Sequence, residues 1–103
     1  HSHTAQEEFF LILSGTGMLR MNNEELPVRS GDFVAKPAGQ GLAHQFINTG
    51  TDILKILDCG LVVEADTVTY PDEGVVLVKP ENMAFKSGQV LERWDSNPNQ
   101  HPR

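Results

Sequence analysis

The sequence predicts an all-β domain of the sandwich or barrel kind. Its apolar runs are short and bounded by Gly, Pro, Asn, Asp and Ser. Those turn signals recur about every eight to twelve residues. No segment carries a helical period, in which apolar residues would return every three to four positions.

Taken in order, the elements are as follows. Glu8-Phe9-Phe10-Leu11-Ile12-Leu13 is apolar, too short for a helix and followed by Ser14-Gly15-Thr16-Gly17, so it reads as a buried strand. Met18 to Met21 is expected to be its hairpin partner. Asn22 to Glu25 is a polar turn, Leu26 to Arg29 a short strand, and Ser30-Gly31-Asp32 another turn. Phe33 to Lys36 is a strand stopped by Pro37-Ala38-Gly39. His44 to Ile47 is the next strand and ends at Asn48-Thr49-Gly50. Ile53 to Cys59 alternates, Leu61 to Val63 and Thr67 to Tyr70 are expected to extend the sheet, and Val75 to Val78 follows the turn Pro71-Asp72-Glu73-Gly74. These elements make a single domain over 1–86. Residues 87–103 form a surface tail that Trp94 is expected to pin.

Composition narrows the function. The chain has 103 residues, 39% hydrophobic, with nine glycines, which is globular in character. Eight basic against 14 acidic residues give a net charge of −6. The basic residues are scattered singly, which argues against nucleic acid and anionic membrane surfaces as partners. No apolar run approaches the roughly 18 residues of a membrane span. The one cysteine, Cys59, excludes an internal disulfide and a cysteine zinc cluster. A reducing, cytoplasmic setting fits. The chain begins at His1 with no signal segment before it, so either a leader has been cleaved or the sequence is a fragment that lacks its front segment.

The chemistry is concentrated in His1-Ser2-His3, Glu7-Glu8 and His44. Two histidines at i and i+2 of a strand point to one face. Imidazole with carboxylate suits a divalent transition metal such as Mn, Fe, Ni or Zn, not soft Cu(I) or oxygen-loving Ca. Parity along a straight strand would align Glu7 with His1 and His3. A bend or bulge within Thr4-Ala5-Gln6 would bring Glu8 inward instead. With Glu8 inward, Phe10 and Ile12 share its face, while Phe9, Leu11 and Leu13 need cover from elsewhere. Another sheet, the missing front segment or a second copy of the chain would supply it, and a homodimer is expected. His44, Phe46 and Asn48 share a face, and Asn48 is expected to hold a turn. Lys36 and Lys55 are candidate cavity cations, although a strand lysine usually faces outward. Cys59 reads as core, and His101 as solvent-exposed. No catalytic acid or base is nominated.

The pattern resembles the cupin superfamily, whose first motif runs G-x5-H-x-H-x3or4-E-x6-G. His1-Ser2-His3, four residues, Glu8, six residues and Gly15 match all but its leading glycine. The second motif runs G-x5-P-x-G-x2-H-x3-N. Gly31, Pro37-Ala38-Gly39, His44 and Asn48 match it, with four residues rather than two between Gly39 and His44. The resemblance covers residues 1–48. It favours Glu8 over Glu7 as the ligand through the spacing to Gly15. It implies a double-stranded β-helix (jelly-roll) barrel in which His1, His3, Glu8 and His44 bind a divalent metal. It also implies a small-molecule ligand or substrate, with dioxygenase, decarboxylase, isomerase or lyase chemistry on a polar, oxygen-rich molecule. The alternative it allows is a non-catalytic small-molecule or sugar-binding module. Copper chelated by the amino group and ring of His1 is a rival reading, but it leaves the second motif unexplained.

Overall fold

The computed structural model describes residues 1–89 and 91–94. Ten strands follow one another: β1 Ser2–His3, β2 Glu8–Ser14, β3 Thr16–Met21, β4 Glu24–Arg29, β5 Phe33–Lys36, β6 His44–Asn48, β7 Lys55–Gly60, β8 Asp66–Tyr70, β9 Val75–Lys79 and β10 Met83–Lys86. A short 3-10 turn, Ser87–Gln89, comes after them. The strands hydrogen-bond as three antiparallel groups, β5-β2-β7, β4-β3-β6 and β1-β8-β9-β10. The all-β class is therefore as expected.

The expected hairpin between the first two apolar strands does not form. β2 pairs with β5 and β7, and β3 pairs with β4 and β6. The chain turns a corner at Gly15 and leaves one sheet for another. Gly15 has a φ of +87°, and a Cβ there would lie 2.5 Å from the carbonyl oxygen of Ile53. Only glycine satisfies both the left-handed backbone and that close approach. Leu61 to Val63 is not a strand, and Met83–Lys86 is an additional one. The tight β3–β4 connection runs through Asn22 and Asn23 at φ 54° and 59°, a conformation asparagine tolerates better than most residues. Trp94 is 73% exposed. His101 lies outside the described residues.

Period-2 alternation along β2 sets the interior. Glu8, Phe10 and Ile12 are buried, whereas Phe9 and Leu13 are exposed. Ile12, Leu19 and Val28 form the core, with Met21, Val34, Phe46, Leu54 and Ile56 packed around them. One row of side chains thus runs from hydrocarbon at Ile12, through the Phe10 ring, to a carboxylate at Glu8. On the opposite face the rings of Phe9 and Phe33 pack on each other at 5.3 Å and remain open to solvent.

Ile12→Ala should cost about 2–5 kcal/mol of unfolding free energy, as buried large-to-small changes do. Leu13→Ala, one position along and 45% exposed, should stay within about 1 kcal/mol. Gly15→Ala should be destabilising even though alanine is the smallest side chain that adds a Cβ. Urea denaturation of the three variants checks the assignment.

Candidate metal centre

The site lies at the end of the barrel above Phe10. A bend at Thr4-Ala5 separates β1 from β2 and resets the alternation. His3 and Glu8 consequently face the same interior, and Glu7 is exposed. Antiparallel pairing then adds neighbours from both sides. Register places Lys36 of β5 opposite Glu8 and Val68 of β8 opposite His3. Since residues two apart share a face, Asp66 and Tyr70 lie along the same interior row as Val68.

The geometry that follows is specific. His3 Nδ1 lies 2.6 Å from Asp66 Oδ2, and His3 Nε2 lies 3.0 Å from Glu8 Oε1. His1 Nε2 is 3.8 Å from the same Glu8 oxygen. His1, His3 and Glu8 together form a group whose ligand atoms lie within 4.8 Å of one another. Asp66 is 5% exposed. Burial pushes its pKa up, but hydrogen bonds from the Ala5 N–H and from His3 outweigh that and hold it below the usual carboxylate range. An ionised Asp66 requires an N–H at His3 Nδ1, which leaves Nε2 as the nitrogen facing Glu8.

That arrangement tests whether a metal fits. Glu8 Oε1 is buried and has no hydrogen-bond partner among the described residues. A lone pair on His3 Nε2 facing it at 3.0 Å is repulsive unless a cation or proton lies between them. About 3 Å is also the separation of two ligands that bind one ion at about 2.1 Å each and at right angles. Imidazole and carboxylate donors backed by a second carboxylate make a carboxylate–histidine–metal relay. The residues fit the group.

His44 sits beside this cluster. Its ring centroid is 5.2 Å from that of His1 and 4.6 Å from that of Phe10. His44 N–H also donates to the His1 carbonyl at 3.2 Å. Desolvation, reinforced by the Lys36 charge, lowers its pKa to about 4, so the ring is neutral at pH 7. The cluster of His1, His3 and Glu8 does not include it.

Lys36 corrects the expectation that a strand lysine faces out. It is 3% exposed, because β5 alternates with Phe33 and Ala35 outward and Val34 and Lys36 inward. Its Nζ donates to the His1 carbonyl at 2.6 Å, lies 2.8 Å from His44 Nδ1, and is 3.7 Å from Glu8 Oε1. Burial lowers its pKa, and the Glu8 charge opposes that shift. Lys55 is exposed. Asp58 pairs across β7 with Phe10; desolvation and then the Glu8 charge raise its pKa.

Asp66 and Tyr70 were not nominated from the sequence. The Tyr70 ring lies 5.5 Å from that of His1. Both residues share strand parity with Val68. However, only the pairing of β8 with β1, across more than sixty residues, brings that row to the site.

Residues 1–60 match the cupin domain family. The chain belongs to the cupin family. This cupin superposes on a candidate sugar phosphate isomerase from Acidithiobacillus ferrooxidans with a TM-score of 0.83 at 30% identity, covering 91% of this chain and 61% of that one. A cupin-superfamily sugar phosphate isomerase from Silicibacter pomeroyi superposes with a TM-score of 0.78 at 26% identity, covering 85% of this chain and 57% of that one. An uncharacterised protein of Methanocaldococcus jannaschii is 37% identical over 59 residues, which is 57% of this cupin and 46% of that protein. An oxalate-binding protein of Thermotoga maritima is 32% identical over 57 residues, 55% of this cupin and 46% of that protein. The matched segment thus spans about half the length of these curated relatives.

Acidification tests the neutral His44. Its folded pKa of about 4 lies below the ordinary value near 6.5, so between those pH values the unfolded chain binds the extra proton. Stability of the metal-free protein should therefore fall as pH drops from about 6.5 towards 4, and be flat with respect to this group above that window. His44→Gln should remove that part of the slope. Midpoints of urea unfolding at a series of pH values measure it.

Proposed function

We propose that this cupin is a divalent-metal-dependent enzyme acting on a small, oxygen-rich molecule, with His1, His3, Glu8 and His44 holding the ion. The observation that carries the reading is the buried Glu8 Oε1, unpartnered and faced by imidazole nitrogen. A structural barrel would gain nothing from a buried carboxylate left in that state. Mn, Fe, Ni or Zn suit the donor set. Sugar phosphate isomerisation is the activity favoured among the cupin chemistries, because two structural neighbours carry that name. The oxalate-binding relative supports a second reading, a non-catalytic module that holds a metal and a small acid without turnover.

When bound, the ion would act as a Lewis acid on ligand oxygens. The chain's own groups do the rest. Asp66 holds His3 in one tautomer and one orientation. The Phe10 ring closes the floor of the site and keeps water from the core side. Lys36 offsets the Glu8 charge and tethers the His1 carbonyl to His44. Tyr70 walls the side next to His1.

Protein purified without a histidine tag should contain close to one equivalent of Mn, Fe, Ni or Zn by elemental analysis. Absence of any such metal, with none taken up on addition at neutral pH, would sink the reading. His3→Ala should abolish uptake, while Asp66→Asn should weaken metal affinity by about 10- to 100-fold. Isomerisation assayed on metal-loaded protein separates the enzyme from the binding module.

A further inference from the structure

We propose that Arg20 is the anion-recognition residue of the cavity beside the metal centre, and that the ligand carries an oxyanion, either a phosphate or a carboxylate. A cavity of about 560 Å³ opens over His1, His44 and Tyr70 and reaches a rim that includes Arg20, Asp72 and Glu73. That volume suits a small metabolite. Its inner wall adjoins the cluster, and its rim carries the charge.

Arg20 stands on β3 opposite Gln45 of β6, one step before the pair formed by Met21 and His44. Its guanidinium pairs with the Asp72 carboxylate, which lies on the turn directly after Tyr70. The two side chains are 42% and 61% exposed. An ion pair so open to water contributes little to stability, so an incoming oxyanion can take Asp72's place at small cost. A planar guanidinium accepts such a group through two parallel N–H donors. Among the described residues lining this cavity Arg20 is the only lysine or arginine. The nearby cation, Lys36, is buried and already engaged by His1 and His44. Asp72 thus occupies the position a ligand oxyanion would take, and Glu73 beside it sets a threshold against weakly held anions.

The inference rests on the proposed function only for what the other end of the ligand meets; the contact at Arg20 needs no metal. Isothermal titration calorimetry with ribose 5-phosphate against ribose, and gluconate against glucose, separates the phosphate from the carboxylate source. Each pair is run on metal-loaded and metal-free protein. In at least one pair the charged probe should bind about tenfold more tightly than its neutral parent. Arg20→Gln should erase that preference and Arg20→Lys should retain part of it. Asp72→Asn should increase it several-fold, and elemental analysis should show unchanged metal content in all three. Loss of metal together with an Arg20-dependent preference would remove the metal-dependent reading and leave the anion site standing. No preference for either charged probe in the wild type, or a preference that survives in Arg20→Gln, would overturn the proposal.

Discussion

The structure of the site depends on His3 standing between two carboxylates. Asp66 takes the proton-bearing nitrogen, and Glu8 faces the other. Two carboxylates and one imidazole in a buried space are costly unless their charges and lone pairs are matched. Asp66 is matched by the Ala5 N–H, the Thr4 hydroxyl and His3. Glu8 Oε1 is not matched by a hydrogen bond. A cation or a proton between His3 Nε2 and Glu8 Oε1 would match it.

Convergence of distant strands makes that possible. His3 lies on β1, Glu8 on β2, Lys36 on β5, His44 on β6 and Asp66 on β8. A flat sheet would spread these across its width, whereas a rolled one brings their inner faces together. Gly15 belongs to the same economy of space. By letting β2 pass into β3 around a sharp corner, it allows β2 to pair with β5, and this pairing delivers Lys36 to Glu8. A residue with a Cβ at the corner would disturb the site through the sheet rather than by contact.

The barrel is also graded along its length. Ile12 and its neighbours supply the packing at one end. Phe10 separates that hydrocarbon from the polar end and packs tilted against His44 and edge-to-face against Phe46. A low-dielectric floor strengthens every charge interaction above it and keeps the His44 ring neutral. The rim beyond is of the opposite character, with exposed Arg20 and Asp72. The floor is thus buried and internally paired, whereas the charges at the mouth are open to water.

Local sequence was sufficient for much of this. Turn residues and alternation delimited most of the strands, and the spacing of His1, His3, Glu8, Gly15, Gly31, Pro37, His44 and Asn48 marked the family. The spacing to Gly15 favoured Glu8 over Glu7 as the candidate ligand, and the small residues at Thr4-Ala5 permit the bend by which Glu8 is buried and Glu7 exposed. What remained hidden were facts of pairing. Lys36 looks like any strand lysine until the β2–β5 register sets it against Glu8. Asp66 and Tyr70 have no motif, and they reach His3 and His1 only through β8 pairing with β1. The hairpin expected between β2 and β3 failed for the same reason: alternation reveals that a strand is half buried, not which strand lies beside it. Composition and spacing determined the type of fold and nominated candidate donors at motif positions. Tertiary structure alone decided which far-off charges stand next to them, because register is set by closure of the whole sheet and not by any stretch of chain.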